Sequence, residues 1–287
     1  MSRVDVRKTH KLFIGGAFPR SESGRTYEVT DSKEQFLANM ALASRKDARD
    51  AVLAARSAVA KWSAATAYNR GQVLYRIAEV MEGRREQFIS EVSDSEGVSS
   101  RKAGSHIDAA IDRWVWYAGW ADKYAQVIGN TNPVAGPFFN FSVPEPTGVV
   151  AAVAPQDASI SGLVSVVAPI IVTGNAVIVM PSSSRPIPAI TLAECLATSD
   201  VPAGVVNILT GAPAEVMPWL AEHADVNALD LTGIVDEGVA TDLERSAAGT
   251  VKRVRGAAPH ADWQATPSLS RMRAFVEVKT VWHPMGV

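Results

Sequence analysis

Between Gly148 and Arg255 short apolar runs alternate with helical stretches, and this alternation restricts the fold more than any other feature of the chain. The apolar runs are Gly148 to Ala154, Ala176 to Met180, Val205 to Leu209 and Asn227 to Leu231. Helices are predicted between them over about Ser159 to Thr173, Pro188 to Ser199 and Ala214 to His223, with a fourth over Glu237 to Ala247. Thr250 to Arg255 is a fifth, more polar strand, as expected of an edge. Continuous apolar strands are buried on both faces, which requires a parallel sheet with helices on both sides. Each crossover is then right-handed. The expected class is α/β with a five-stranded parallel sheet. Ligands of such sheets collect at the carboxyl ends of the strands. Those ends carry Pro155-Gln156-Asp157, Pro181-Ser182-Ser183, Thr210-Gly211 and Thr232-Gly233.

The N-terminal half is predicted to be mainly helical. Lys11 to Val29 mixes apolar runs with Gly15-Gly16, Pro19 and Gly24, as in a hairpin lying over a larger domain. Ser44 with Asp47 resembles a capping box, and Ala48, Val52, Ala55, Val59 and Trp62 follow at helical spacing. A second helix is expected over about Arg70 to Ser93 and a third over about Ser105 to Ala125. Trp114, Trp116 and Trp120 on the third read as packing residues rather than a cofactor box. After Asn130 the period changes to two. Phe139, Phe141 and Val143 alternate with polar residues until Pro144 and Pro146 end the run, giving a strand or hairpin arm at 137–146. Residues 256–270 read as a linker. Residues 271–287 carry a strand with one apolar face, Arg273 to Trp282, which needs another strand to pair with.

Composition narrows the partners. The 287 residues are 47% hydrophobic, enough for a packed core in one large domain with an appendage. The 28 basic and 30 acidic side chains leave a formal net charge of −2 with no basic stripe, so neither nucleic acid nor an anionic membrane is an expected partner. Ile160 to Val179 is broken by serines, glycines and Pro169 and reads as a buried helix and strand, not a span. Met1 to His10 has no secretory apolar segment, and the single Cys195 excludes an intrachain disulfide, so a cytoplasmic protein is expected. His10, His106, His223, His260 and His283 show no metal-ligand spacing, and no metal site is expected.

The order of motifs resembles the NAD(P)-dependent aldehyde dehydrogenases. The likeness rests on Gly148 to Pro155, Thr173-Gly174-Asn175-Ala176-Val177, Val201 to Asn207, Leu231-Thr232-Gly233 with Gly238, and Glu277-Val278-Lys279-Thr280-Val281. The resemblance implies a nucleotide-binding domain over residues 1–255 and a small β arm for oligomerisation. The arm would use Phe139, Phe141, Phe275, Val276, Val278 and Val281. In the family a catalytic domain lies between these parts, where this sequence has only residues 256–270. The expectation is a truncated member.

The family's chemistry uses a thiolate to attack the aldehyde, hydride transfer to the nicotinamide, and water to release the acid. Cys195 lies far in sequence from the family's nucleophile and reads as a small buried apolar residue. The family's general-base glutamate opens a Glu-Leu-Gly-Gly motif after the fifth strand, whereas this chain has Arg255-Gly256-Ala257-Ala258. Asp157, two residues after Pro155, replaces the asparagine that donates to the oxyanion, and a helix N-cap is the preferred role for it. No catalytic residue is assigned. The nucleotide contacts are altered too. Met180-Pro181-Ser182-Ser183 stands for the family's Lys-Pro-Ser-Glu on the adenosine ribose. Gly233 and Gly238 keep the pyrophosphate turn, but Ile234 replaces its hydroxyl, and Asp236 and Glu237 add two carboxylates. Pro155, Asp157, Met180, Ser182, Ser183, Gly211, Thr232, Gly233 and Gly238 are therefore degenerate cofactor contacts, with NAD or NADP expected to bind weakly and neither required. The expected function is a catalytically deficient subunit that assembles with a full-length aldehyde dehydrogenase. The alternative is an NAD(P)-dependent oxidoreductase with residual or complex-dependent activity on aldehydes.

Overall fold

The computed structural model describes residues 7–259 and 261–286. Residues 1–6, His260 and Val287 lie outside the described residues, so the readings made on them above rest on sequence alone. The central sheet is built from β6 (Val149–Val153), β7 (Ala176–Met180), β8 (Val206–Ile208), β9 (Ala228–Asp230) and β10 (Arg253–Arg255). All neighbours are parallel, in the order β10-β9-β6-β7-β8. The crossovers carry α6 (Ser161–Val172), α7 (Ile187–Ala197), α8 (Pro213–Glu222) and α9 (Glu237–Ala248). Alternate strand residues enter different cores, since successive side chains point to opposite faces. Val150, Ala152, Val177 and Val179 pack with α6 and α7. Val149, Ala151, Val153, Ile178 and Met180 pack with α8, α9 and α1 (Arg45–Ala64).

The helix α1 begins where expected. Ser44 accepts from the Asp47 backbone while Asp47 returns a bond to the Ser44 amide, a complete capping box. The Asp47 carboxylate also accepts from Ser21 Oγ at 2.7 Å and the Glu22 amide at 3.0 Å, fastening the N-terminal segment to the helix. The hairpin is not where the sequence pattern puts it. Its strands are β2 (Thr26–Thr30) and β3 (Phe36–Ala41), with the short β1 (Thr9–His10) on the other side of β3. Residues 11–25 instead form a tight turn at Ile14–Ala17, and Phe13 extends the edge of the main sheet by bridging to Ile208.

The single helix expected over about Arg70 to Ser93 is two helices, α2 (Ala67–Gly83) and α3 (Arg85–Glu96). They break at Arg84, whose φ of −114° and ψ of 13° leave the helical region. The third expected helix starts earlier, as α4 (Ser100–Trp120) capped by Ser99, and stops before a separate turn, α5 (Tyr124–Ile128). Its first turn is polar and carries no apolar period. Trp114 is fully buried, and Trp116 and Trp120 pack against the same core.

The arm is a sheet of its own. It contains β4 (Asn130–Asn132), β5 (Phe138–Pro146) and β11 (Val276–Pro284), in the order β11-β5-β4, all antiparallel. Pro144 and Pro146 do not end β5. They pair with Val278 and Val276. A proline fits there because β4 covers only residues 140–142, so beyond Ser142 one side of β5 needs no donor. Residues 256–270 are not an open linker. Residues 256–259 and 261–270 fold onto the sheet end, burying Trp263, and lead into α10 (Ser270–Ala274).

Candidate functional site

The strand order reverses direction at β6: β7 and β8 lie on one side, β9 and β10 on the other. Open parallel sheets bind ligands at such a switch point, beyond the strand ends. Here that edge consists of the turns after β6, β7, β8 and β9.

The turns after β6 and β7 are tied to each other by Gln156. Its Nε2 donates to the Ala154 carbonyl at 2.8 Å, and its Oε1 accepts from the Ser183 amide at 3.0 Å and Ser183 Oγ at 3.2 Å. Ser182 Oγ donates to the Gln156 carbonyl at 2.8 Å, and Arg185 Nη1 to the Asp157 carbonyl at 2.9 Å. The sequence places Gln156 at a strand end without giving it a role and does not single out Arg185, because a lone polar residue in a loop gives no periodic signal. Further along the β6 turn, Ser159 donates from its amide and hydroxyl to Glu96 Oε1 at 2.9 and 2.6 Å, and Glu96 Oε2 lies 3.1 Å from His106 Nδ1. Burial opposes ionisation of Glu96, yet the bonds from His106 and Ser159 hold its carboxyl below the usual range.

The structure moves two of the expected roles. Asp157 does not cap α6, which starts from Ile160 with no side-chain cap. The turn holds Asp157 three residues before that position, too far upstream for its carboxylate to serve as the cap. Met180 is fully buried in the sheet core, so its side chain does not face the edge. Pro155 packs against α6, where a side chain on Gly162 would meet the Pro155 ring at 2.8 Å.

The turns after β8 and β9 are shaped by close contacts. Gly211 has φ of +132°, and a Cβ there would meet Leu42 Cδ1 at 2.9 Å. The neighbouring Thr210 hydroxyl donates to the Ala41 carbonyl at 2.5 Å. Gly233 passes directly over the end of β6: its amide donates to the Val153 carbonyl at 2.9 Å, and any Cβ would collide with the Ala154 carbonyl. Ile234 is buried. Asp236 caps α9, accepting from the Val239 amide at 3.0 Å, with Glu237 and then Gly238 in the first turn. Thr232 belongs to a buried network. Its amide and hydroxyl both donate to Asp230 Oδ1, and Arg271 reaches Asp230 Oδ2 and Thr232 Oγ1 at 3.2 Å each. Asp230 and Arg271 are both buried.

The segment after β10 closes this end. The Ala258 amide donates to the Thr232 carbonyl at 3.1 Å. Arg113 of α4 donates to the carbonyls of Trp263 and Ala265 at 2.5 and 2.6 Å, and the Arg271 guanidinium lies 5.0 Å from the Trp263 ring centre. No carboxylate stands at Arg255-Gly256-Ala257-Ala258.

Cys195 is fully buried on α7, and burial pushes its thiol up to about 11. Among the described residues no group of three or more His, Cys, Asp or Glu side chains could hold a metal ion, and no helix is long and apolar enough to cross a membrane. In the arm, Val278 and Phe139 are exposed, at 53% and 46%, and Phe141 and Val281 are half-buried. Phe275 and Val276 are not available to a partner. Both are buried in the chain's own core, where the Phe275 carbonyl accepts from Asn175 Nδ2 at 2.8 Å.

Known proteins share this architecture. The sequence profile of the aldehyde dehydrogenase family matches residues 18–256. A cytosolic 10-formyltetrahydrofolate dehydrogenase from Pongo abelii is 32% identical over 246 residues, covering 83% of this chain and 27% of that protein. A cytosolic aldehyde dehydrogenase 1 from Elephantulus edwardii is 31% identical over 261 residues, covering 88% and 51%. The structure of an aldehyde dehydrogenase from Bacillus cereus in complex with NAD+ superposes with a TM-score of 0.81 at 27% identity, covering 86% of this chain and 50% of that one. The chain thus spans between about a quarter and a half of the length of these relatives.

Proposed function

The chain belongs to the aldehyde dehydrogenase family, and from that premise we propose that it is a non-catalytic subunit that docks through its arm onto a full-length aldehyde dehydrogenase. The observation that carries this is the state of β11. Its nine residues pair on one side with β5, while its other edge has no strand partner among the described residues. Val278 and Trp282 on it are more than half exposed, as Phe139 nearly is. A small sheet with an open edge and exposed apolar side chains gains most from adding a partner's strand. The reacting groups support the non-catalytic half of the reading. A buried thiol raised to about 11 has almost no thiolate at neutral pH, and residues 255–258 offer no base to activate water. Co-expression with a full-length aldehyde dehydrogenase followed by native mass spectrometry tests it. A mixed oligomer is expected, weakened by Val278→Glu and Trp282→Arg; two separate species refute it.

A second reading has its own support. The Gly233 turn and the start of α9 keep a backbone that can face a pyrophosphate, and the Bacillus cereus relative was solved with NAD+. On this reading the chain binds NAD or NADP weakly and contributes to aldehyde oxidation within a complex. Calorimetric titration with each dinucleotide decides it: micromolar affinity favours the second reading, and no heat at millimolar concentration removes it.

A further inference from the structure

A cavity of about 170 Å³ lies between α4, the end of β10 and residues 261–271, lined by Arg113, Tyr117, Arg255, Trp263 and Arg271. A liquid-phase water occupies about 30 Å³, so the space exceeds one or two solvent molecules. Three guanidiniums border it. Arg113 is committed to the carbonyls of Trp263 and Ala265, and Arg271 to Asp230 and Thr232. Arg255 differs from both. Among the described residues its side chain makes no hydrogen bond, and its Nε is buried without a partner. The carboxylates do not match the cations. Asp230 is held by Arg271 and Thr232, and the Asp262 side chain, at the exposed rim, accepts from the Gln264 amide. Burial is the largest effect on the Arg113 and Arg271 guanidiniums and depresses both; Tyr117 and Asp262 oppose it at Arg113, and Asp230 and Tyr117 at Arg271, while Arg271 beside Arg113 and Arg255 beside Arg271 add like-charge depression.

A buried donor left unpaired is costly, and so is a cation crowded by other cations. Both costs fall when an anion enters. We propose that this cavity is a binding site for a small oxyanion, a phosphate or carboxylate group, with the Arg255 fork as its principal ligand and Arg113 and Arg271 supplying the surrounding positive field. A guanidinium fork presents two parallel donors to either group, which is the geometry such anions prefer. The Tyr117 side chain, buried and pushed up to about 12 chiefly by burial, stays a neutral hydroxyl against the same wall. The site is separate from the reading of the arm, since β11 takes no part in it.

The test titrates the whole chain with inorganic phosphate and, in parallel, with acetate, each against sodium chloride at matched ionic strength. Thermal midpoint and calorimetric heat are both read. A saturable rise with either anion is expected. A larger effect of phosphate assigns the site to phosphate esters, and a larger effect of acetate to carboxylates. Arg255→Ala should weaken binding about tenfold or more, and Arg255→Lys, which keeps the charge without the fork, should fall between. Because among the described residues the Arg255 side chain makes no hydrogen bond and its Nε is an unpaired buried donor, both variants should keep the far-ultraviolet spectrum, and Arg255→Ala should leave the anion-free midpoint unchanged or raise it. No effect of either anion at tens of millimolar, or binding unchanged in Arg255→Ala, overturns the proposal.

Discussion

Replacing Arg271 by methionine should destabilise the fold out of proportion to its place near the end of the chain. Arg271 is the only guanidinium within reach of Asp230 Oδ2 among the described residues, and the Asp230 side chain is wholly buried. Oδ1 would keep its two bonds from Thr232, but Oδ2 would be left charged and unpaired in the core. Breaking a buried pair from one side costs about 3–5 kcal/mol. For a chain of this size the urea slope is on the order of 3 kcal/mol per molar, so the urea midpoint should fall by roughly 1 to 1.7 M with the slope unchanged. The double variant Asp230→Leu with Arg271→Met removes both charges and should recover part of the loss. A midpoint within about 0.3 M of the parent for Arg271→Met, roughly 1 kcal/mol, would refute the reasoning, because Asp230 Oδ2 would then not depend on Arg271.

Two further outcomes follow from buried titratable groups. His10 is depressed from 6.5 to about 4, mainly by burial and then by Lys8. It stays neutral in the fold while the unfolded chain takes up a proton below 6.5, so its contribution is present above pH 6.5 and is lost as pH falls toward 4. Over that interval the linkage amounts to about 3 kcal/mol at most, and His10→Gln should flatten this part of the stability curve in urea titrations at stepped pH; an unchanged slope contradicts the assignment. Cys195, fully buried and raised to about 11, should react with an aromatic disulfide reagent at pH 8 at least about a hundredfold more slowly in the native chain than in urea; equal rates would mean the thiol is open.

The parallel sheet was readable because continuous apolar strands carry a strong signal, and β7 falls on the predicted residues end to end. The capping box at Ser44 was readable for the same reason: two residue types at a fixed spacing satisfy a fixed geometry. What escaped depends on partners distant in sequence. The break at Arg84 leaves the apolar period of α2 and α3 almost undisturbed, so periodicity alone joined them. Segment 256–270 has the composition of a linker, yet it is held by Arg113, 150 residues from Trp263. Phe275 and Val276 share an alternating pattern with Val278, but only the body of the protein decides where β11 stops being core and starts being arm.

The switch-point edge argues for the same distinction between pattern and occupancy. Its glycines and helix start repeat what a dinucleotide turn needs, but the chain's own groups already use the available bonds. Asp236 takes the Val239 amide at the start of α9, where a phosphate would otherwise accept. Gln156 takes the Ser183 amide and hydroxyl, and Val153 takes the Gly233 amide. A dinucleotide arriving here must displace a charged cap or add no bond to it. Each charge-assisted bond it fails to make forgoes about 1.5–3 kcal/mol, a factor of ten or more in affinity. The backbone that permits binding and the side chains that weaken it are therefore separate features of one edge, and Asp236→Ser, which removes the carboxylate while keeping a capping hydroxyl, separates them.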